Sequence, residues 1–159
     1  MDGRAAELIR SLDLAEHPEG GYYREVFRSS HDVLSRGSKR SALTTIYFLL
    51  VAGNHSRWHV VRSDEAWHYY EGDPLELLVV DPDDLTVRRM VLGPAAGAQA
   101  PVRVVPAAHW QAARSTGAYT LVGCSVGPGF DFADFRLLRD DPETLSRFRP
   151  TVPNLEALL

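Results

Sequence analysis

His59 and Glu65 are the residues best equipped to do chemistry in this chain. They stand in the stretch G-N-H-S-R-W-H-V-V-R-S-D-E-A-W-H-Y-Y-E-G, residues 53–72, between apolar, strand-like runs. An imidazole and a carboxylate are good metal ligands and also good acid–base groups. Trp58, Trp67, Tyr69 and Tyr70 surround them with aromatic side chains of the kind that wall small-molecule pockets. His59 can act as a base with its imidazole oriented by Glu65, and Tyr69 or Tyr47 can supply the matching acid. The substrate of such a pair is a small molecule with an acidic C–H.

The elements that must hold these groups are mostly strands. Residues 3–14 space Ala6, Leu8, Ile9, Leu12 and Leu14 as a short amphipathic helix, and H-P-E-G-G at 17–21 breaks it. Gly21 to Phe27 reads as a strand, residues 30–40 as an exposed loop, and Ser41 to Val51 as a strand buried on both faces. After the 53–72 stretch, L-E-L-L-V-V behind Pro74, Leu85 to Leu92, Val102 to Val105, His109 to Arg114 and Tyr119 to Val126 read as further strands. Gly93 to Ala100 and residues 127–135 are turns, Asp141-Pro142-Glu143 starts a helix, and N-L-E-A-L-L closes with a helical turn. Roughly nine short strands with few helices predict an all-β barrel or sandwich flanked by short helices.

Length and composition narrow the function classes. The chain has 159 residues, which predicts one domain over 1–159. Its net charge is −4, with no Lys/Arg cluster beyond the short group Arg36, Lys39 and Arg40, which argues against nucleic acid. No apolar run is long enough for a membrane helix, and the N-terminus has no apolar signal core. The one cysteine, Cys124, has no internal disulfide partner, which predicts a cytoplasmic protein and a packed thiol.

The spacing of the central stretch resembles the first motif of cupin barrels, G-x5-H-x-H-x3-E-x6-G. Gly53, His59, Glu65 and Gly72 fall in place, and Val61 stands where the second His belongs. In the second motif, P-x-G-x2-H-x3-N, Pro106 fits, while Ala108, Gln111 and Ser115 replace the other members. H-P-E-G-G-Y-Y-R-E at 17–25, T-T-I-Y-F-L-L at 44–50, S-D-E-A-W-H-Y-Y-E-G-D-P-L-E-L at 63–77 and G-C-S-V-G-P-G-F-D-F-A-D-F at 123–135 resemble one cupin family, long catalogued as a domain of unknown function. The resemblance implies a double-stranded β-helix (jelly-roll) barrel, a homodimer, and kinship with the sugar-nucleotide epimerase cupins, which pair a His base with a Tyr acid.

The same resemblance implies a metal site of three His and one Glu on the inner wall. Here the set is reduced to His59, Glu65 and Gln111, which is poor for zinc or iron. No cofactor is therefore assured, and a divalent metal on those three residues is an alternative. The first expectation is a ligand-binding barrel with isomerase or epimerase chemistry on a carbohydrate derivative. A non-catalytic metabolite-binding module and a metal-dependent enzyme are the rivals. Tyr47, Trp67, Gln111 and Glu25 are the expected ligand contacts, although Trp67 and Tyr69 also suit plain barrel core. His68 and Tyr70, of opposite parity, suit a dimer interface; Glu65 has a salt-bridge reading with Arg57 or Arg24; His17 and His55 are expected to be solvated.

Overall fold

The computed structural model describes residues 2–159. The order of elements is helix α1 (Gly3–Ser11), strands β1 (Ala15–Glu16), β2 (Tyr22–Arg28), β3 (Asp32–Ser35), β4 (Ser38–Ser41), β5 (Thr44–Val51), β6 (His55–Val61), β7 (Asp64–Gly72), β8 (Leu75–Val80), β9 (Val87–Leu92), β10 (Val102–Val105), β11 (Trp110–Ser115), β12 (Tyr119–Gly127) and β13 (Phe135–Leu137), then helix α2 (Pro142–Phe148). Asp2 caps α1, accepting from the backbone N–H of Arg4 and Ala5. Asp141 caps α2 with Pro142 at its first position, as the Asp-Pro-Glu pattern predicts.

Two antiparallel sheets carry the molecule. One runs β1-β2-β5-β12-β7-β10, the other β13-β6-β11-β8-β9. Their inner faces meet over Phe48, Leu50, Trp67, Leu75, Leu77, Val79, Leu92 and Val122, all buried. Each sheet is also covered in part on its outside. Ala5 and Leu8 of α1 pack on Leu49 and Leu121 of the first sheet. Phe148, Val152, Leu155 and Leu158 of the C-terminal segment pack on Trp58 and Trp110 of the second. That double coverage is why β5 reads as a near-continuous apolar run and why most of β6 is buried on both faces.

The all-β architecture with short flanking helices agrees with the sequence expectation. The strands number more than nine, and the difference lies in three places. Residues 30–40 form the ribbon β3–β4, not a plain loop. Its turn, Arg36-Gly37, has positive φ at both positions, the geometry of a tight two-residue hairpin. An ion pair between Asp32 and Lys39 crosses the ribbon, and its polar composition hid the strand signal. The pair β1 and the short β13 also escaped, because two or three residues carry no readable period. No helix is long and apolar enough to cross a membrane.

Candidate functional site

Between the sheets, at one end, lies a cavity of about 320 Å3. Strand β6 sends Trp58 and Val60 outward into the C-terminal packing, and His59 and Val61 inward to the cavity wall. Strand β7 contributes Glu65 from its first turn of pleat, and β12 contributes Cys124. The remaining inner groups come from the loop between β1 and β2, where His17 and Glu19 enter the cavity. Gly20 and Gly21 make that entry possible. Both have positive φ, and a Cβ on Gly20 would strike the carbonyl oxygen of His55. The loop is then tied down by the Arg57 N–H, which donates to the Glu19 carbonyl at 2.7 Å.

His59 is 2% exposed. Its Nδ1 lies 2.7 Å from the Arg57 carbonyl, an acceptor, so Nδ1 carries the proton and Nε2 offers its lone pair to the cavity. Nε2 faces Glu19 Oε2 at 3.3 Å. Glu19 in turn accepts from Ser56 Oγ at 2.9 Å. Burial pushes the Glu19 carboxyl up to about 8, against a weaker downward pull from Ser56. Glu65 is pushed up as well, first by burial and also by the neighbouring Glu19, with His59, Gln111 and Cys124 pulling the other way. Burial lowers His59. His17, at the rim of this group, falls to about 4 through burial and repulsion from His59. Its Nδ1 accepts from the Glu19 N–H at 3.2 Å, which also requires the neutral ring. At neutral pH the Glu19 carboxyl thus keeps its proton and the His17 ring is neutral, and burial biases Glu65 and His59 in the same sense.

Glu65 is clamped from below. Gln111 Nε2 donates to Glu65 Oε2 at 2.5 Å, and Gln111 Oε1 accepts from Trp67 Nε1 at 3.0 Å. Trp67 and Gln111 are both buried and lie behind the cavity wall; they orient Glu65 and do not line the space. Among the described residues Glu65 has no arginine partner: Arg57 and Arg24 bond to the carbonyls of Pro18 and Leu12. Glu25 lines the mouth, where Arg28 grips it at 2.9 and 2.7 Å and also reaches the Phe130 carbonyl. Phe130, Phe132 and Tyr23 complete an aromatic rim.

Not every expected residue comes to this place. Tyr69 lies outside the cavity and donates its hydroxyl to the Gly72 carbonyl at 2.5 Å. Tyr47 points to the outer face of its sheet, against the ring of Tyr70. His17 is not solvated: its side chain is 7% exposed and packs edge-on to Tyr23. Glu19, His17, Arg28 and Cys124 join the site without having been singled out for it. The Gly-Gly pair directly after Glu19, a mark of close backbone approach, is a signal that went unused.

The metal set implied by the resemblance does not fit this wall. Val61 places a hydrocarbon beside His59, and the Gln111 amide is committed on both sides to Trp67 and Glu65. Among the described residues no group of three His, Cys, Asp or Glu side chains is arranged to hold a metal ion.

A family model described as "Cupin superfamily (DUF985)" matches residues 6–138. No curated protein matches the sequence. Among solved structures, a hypothetical protein from Leishmania major is similar at 34% identity and TM-score 0.87, covering 95% of each chain. A Shewanella oneidensis protein is similar at 29% identity and TM-score 0.87, covering 97% of this chain and 96% of its own. Oxalate decarboxylase from Bacillus subtilis shares the fold at 16% identity and TM-score 0.60, with 82% of this chain on 31% of that one.

Proposed function

The chain belongs to the cupin superfamily (DUF985), and from that premise we propose that its cavity binds a small, uncharged, hydroxyl-bearing molecule and moves a proton on it, as an isomerase or epimerase of a carbohydrate derivative does. The observation that carries this reading is the pair formed by His59 Nε2 and Glu19 Oε2, 3.3 Å apart and facing the cavity. A neutral imidazole with its lone pair exposed is a base. A carboxylic acid that keeps its proton at pH 7 is an acid. Their separation suits two neighbouring atoms of one substrate, a carbon bearing an acidic proton and the carbonyl oxygen beside it.

The step balances within those groups. His59 takes the carbon-bound proton, and the C–H electron pair becomes the enediol double bond. Glu19 gives its proton to the carbonyl oxygen. Return of a proton to the neighbouring carbon, or to the other face, gives the isomer. Glu65, held by Gln111 and raised in the same sense as Glu19, is the second carboxyl available for that return. The aromatic rim of Tyr23, Phe130 and Phe132 supports a sugar ring by apolar contact. Four carboxyls against the one arginine Arg28, itself paired to Glu25, favour a neutral ligand over a multiply charged one in this cavity.

Solvent-deuterium exchange into a panel of aldoses and ketoses tests the reading. Exchange that His59→Asn and Glu19→Gln both suppress supports proton transfer. Saturable binding with no exchange in any variant leaves a binding module, the rival reading. For assembly, a homodimer is favoured by the half-exposed apolar side chains Tyr70, Val102 and Val104 on the neighbouring strands β7 and β10. The buried single thiol of Cys124, raised by burial, is consistent with a cytoplasmic site of action.

A further inference from the structure

On the opposite face of β6 from the cavity lies a second hollow, of about 410 Å3, open to solvent. Val60 and Trp110 lie at its floor, while Phe135, which borders it, turns its ring toward His59 and the inner cavity. Four arginines from four separate segments stand around it. Arg36 comes from the turn of the β3–β4 ribbon, Arg62 from the turn after β6, Arg136 from β13 and Arg147 from α2. The chain as a whole is acidic, at −4, so this concentration of positive charge runs against its average.

The surrounding acids offset it only in part. Asp134, the one carboxylate among the lining residues, is gripped by Arg40 at 2.7 and 3.0 Å, and Arg62 and Arg36 act on it through space without contact. Asp141 meets Arg136 at 3.2 Å while also capping α2, and Arg136 lies 5.5 Å above the Trp110 ring. Arg147 donates only to the Pro82 carbonyl, at 3.0 Å. Arg36 and Arg62 make no hydrogen bond and no ion pair with any described residue. Three guanidinium groups without a carboxylate partner therefore border one concave surface. Held this close, like charges repel, and an anion between them would relieve the repulsion.

We propose that this hollow binds a phosphorylated small molecule, its phosphoryl oxygens on Arg36, Arg62 and Arg147. The guanidinium fork matches phosphoryl oxygens two at a time, and three convergent forks suit a group with several oxygens and more than one negative charge. A monocarboxylate satisfies one of them. The concave shape and the volume suit a metabolite. The site stands apart from the chemistry of the inner cavity and does not depend on it, although Phe135 is near both: its ring centre lies 5.5 Å from that of His59.

The test is calorimetric titration of the full chain with sodium pyrophosphate at low ionic strength, beside sodium citrate. Pyrophosphate is expected to bind one per chain, and to weaken as salt is added. Arg62→Gln and Arg147→Gln are each expected to weaken it by at least about tenfold, the loss typical of a charged hydrogen bond. Both side chains are exposed, so the variants keep their fold. Failure of pyrophosphate to bind overturns the site, and so does binding that both variants leave intact. Citrate binding tighter than pyrophosphate overturns the phosphoryl class. Affinity lost in His59→Asn but kept in Arg62→Gln places the anion in the inner cavity and overturns the proposal.

Discussion

The two faces of strand β6 handle charge in opposite ways. Inward, His59 joins Glu19, Glu65 and His17, all buried side chains, on one cavity wall. There, burial moves every pKa toward the neutral form: carboxyls upward, imidazoles downward. Outward, Arg36, Arg62 and Arg147 are exposed to water around the second hollow. One wall of the barrel thus separates a site that stores protons from a site that presents cations. The inner arrangement suits making and breaking C–H bonds, where a base must be uncharged and an acid must still hold its proton. The outer one suits holding an anion, where only the field matters.

The sharpest way to break this contrast is to remove the inner base. His59→Asn keeps an amide able to donate to the Arg57 carbonyl but has no basic nitrogen. Deuterium exchange into a responsive sugar is expected to fall by about 10²- to 10⁴-fold, the usual range for a positioned acid or base. Exchange that survives in a folded His59→Asn protein removes His59 from the chemistry.

The next effect is structural. Gln111→Leu strips the partners from both Trp67 Nε1 and the Glu65 carboxyl, which stay buried. A loss of about 2–3 kcal/mol in urea unfolding is expected, since each orphaned buried group costs about 1–3 kcal/mol. A change under half of that would show that Glu65 reaches another partner or water, and that Gln111 is not its clamp.

The proton store also has a signature in stability. Glu19 is an acid whose pKa rises on folding from 4.5 to about 8, so the folded chain holds its proton more tightly. Stability from this group is full at low pH and is lost as pH rises through that window. His17 falls from 6.5 to about 4, so it acts the other way and removes stability as pH drops from 6.5 toward 4. The two roughly offset between pH 4.5 and 6.5. Between 6.5 and 8 the Glu19 carboxyl is no longer offset by His17, and its own contribution should decline with pH by at most about 1.4 kcal/mol per unit, Glu65 acting in the same direction. Glu19→Gln, which still accepts from Ser56, is expected to flatten that decline in urea titrations. An unchanged slope would mean that Glu19 is ionised at neutral pH.

Much of this organisation was legible beforehand, and the boundary follows a physical line. Spacing within one strand was enough to set His59 and Glu65 on the inner wall and Val61 beside His59, because alternation fixes direction. Glu25, expected among the ligand contacts, lines the mouth, although its place there did not follow from the sequence. Gln111 was legible as a partner of that wall, though it acts from behind it. Glu19 and His17 were not legible, since their place depends on how a loop folds across β6, about forty residues on in the sequence. The ring of arginines escaped for a related reason: its members come from four segments, and only the packed sheets bring them together. Composition showed a chain with a negative average, and an average says nothing of such a local excess.

Tyr69 gives the smallest expected effect and the most direct check on that boundary. Parity along β7 puts it on the same side as Glu65, and the epimerase cupins that the sequence resembles use a tyrosine acid. Yet Tyr69 stands further along β7 than the cavity, packed into the core between the sheets with Phe48 and Trp67, and its hydroxyl closes onto the Gly72 carbonyl. Tyr69→Phe removes one hydrogen bond at constant ring volume, so a loss of about 1 kcal/mol is expected in urea unfolding. Exchange into the sugar that responds to His59 should continue at an unchanged rate. If Tyr69→Phe instead stops exchange while its stability stays near that of the parent, the acid is this tyrosine. The Glu19 carboxyl would then hold the His59 ring in place without itself delivering the proton.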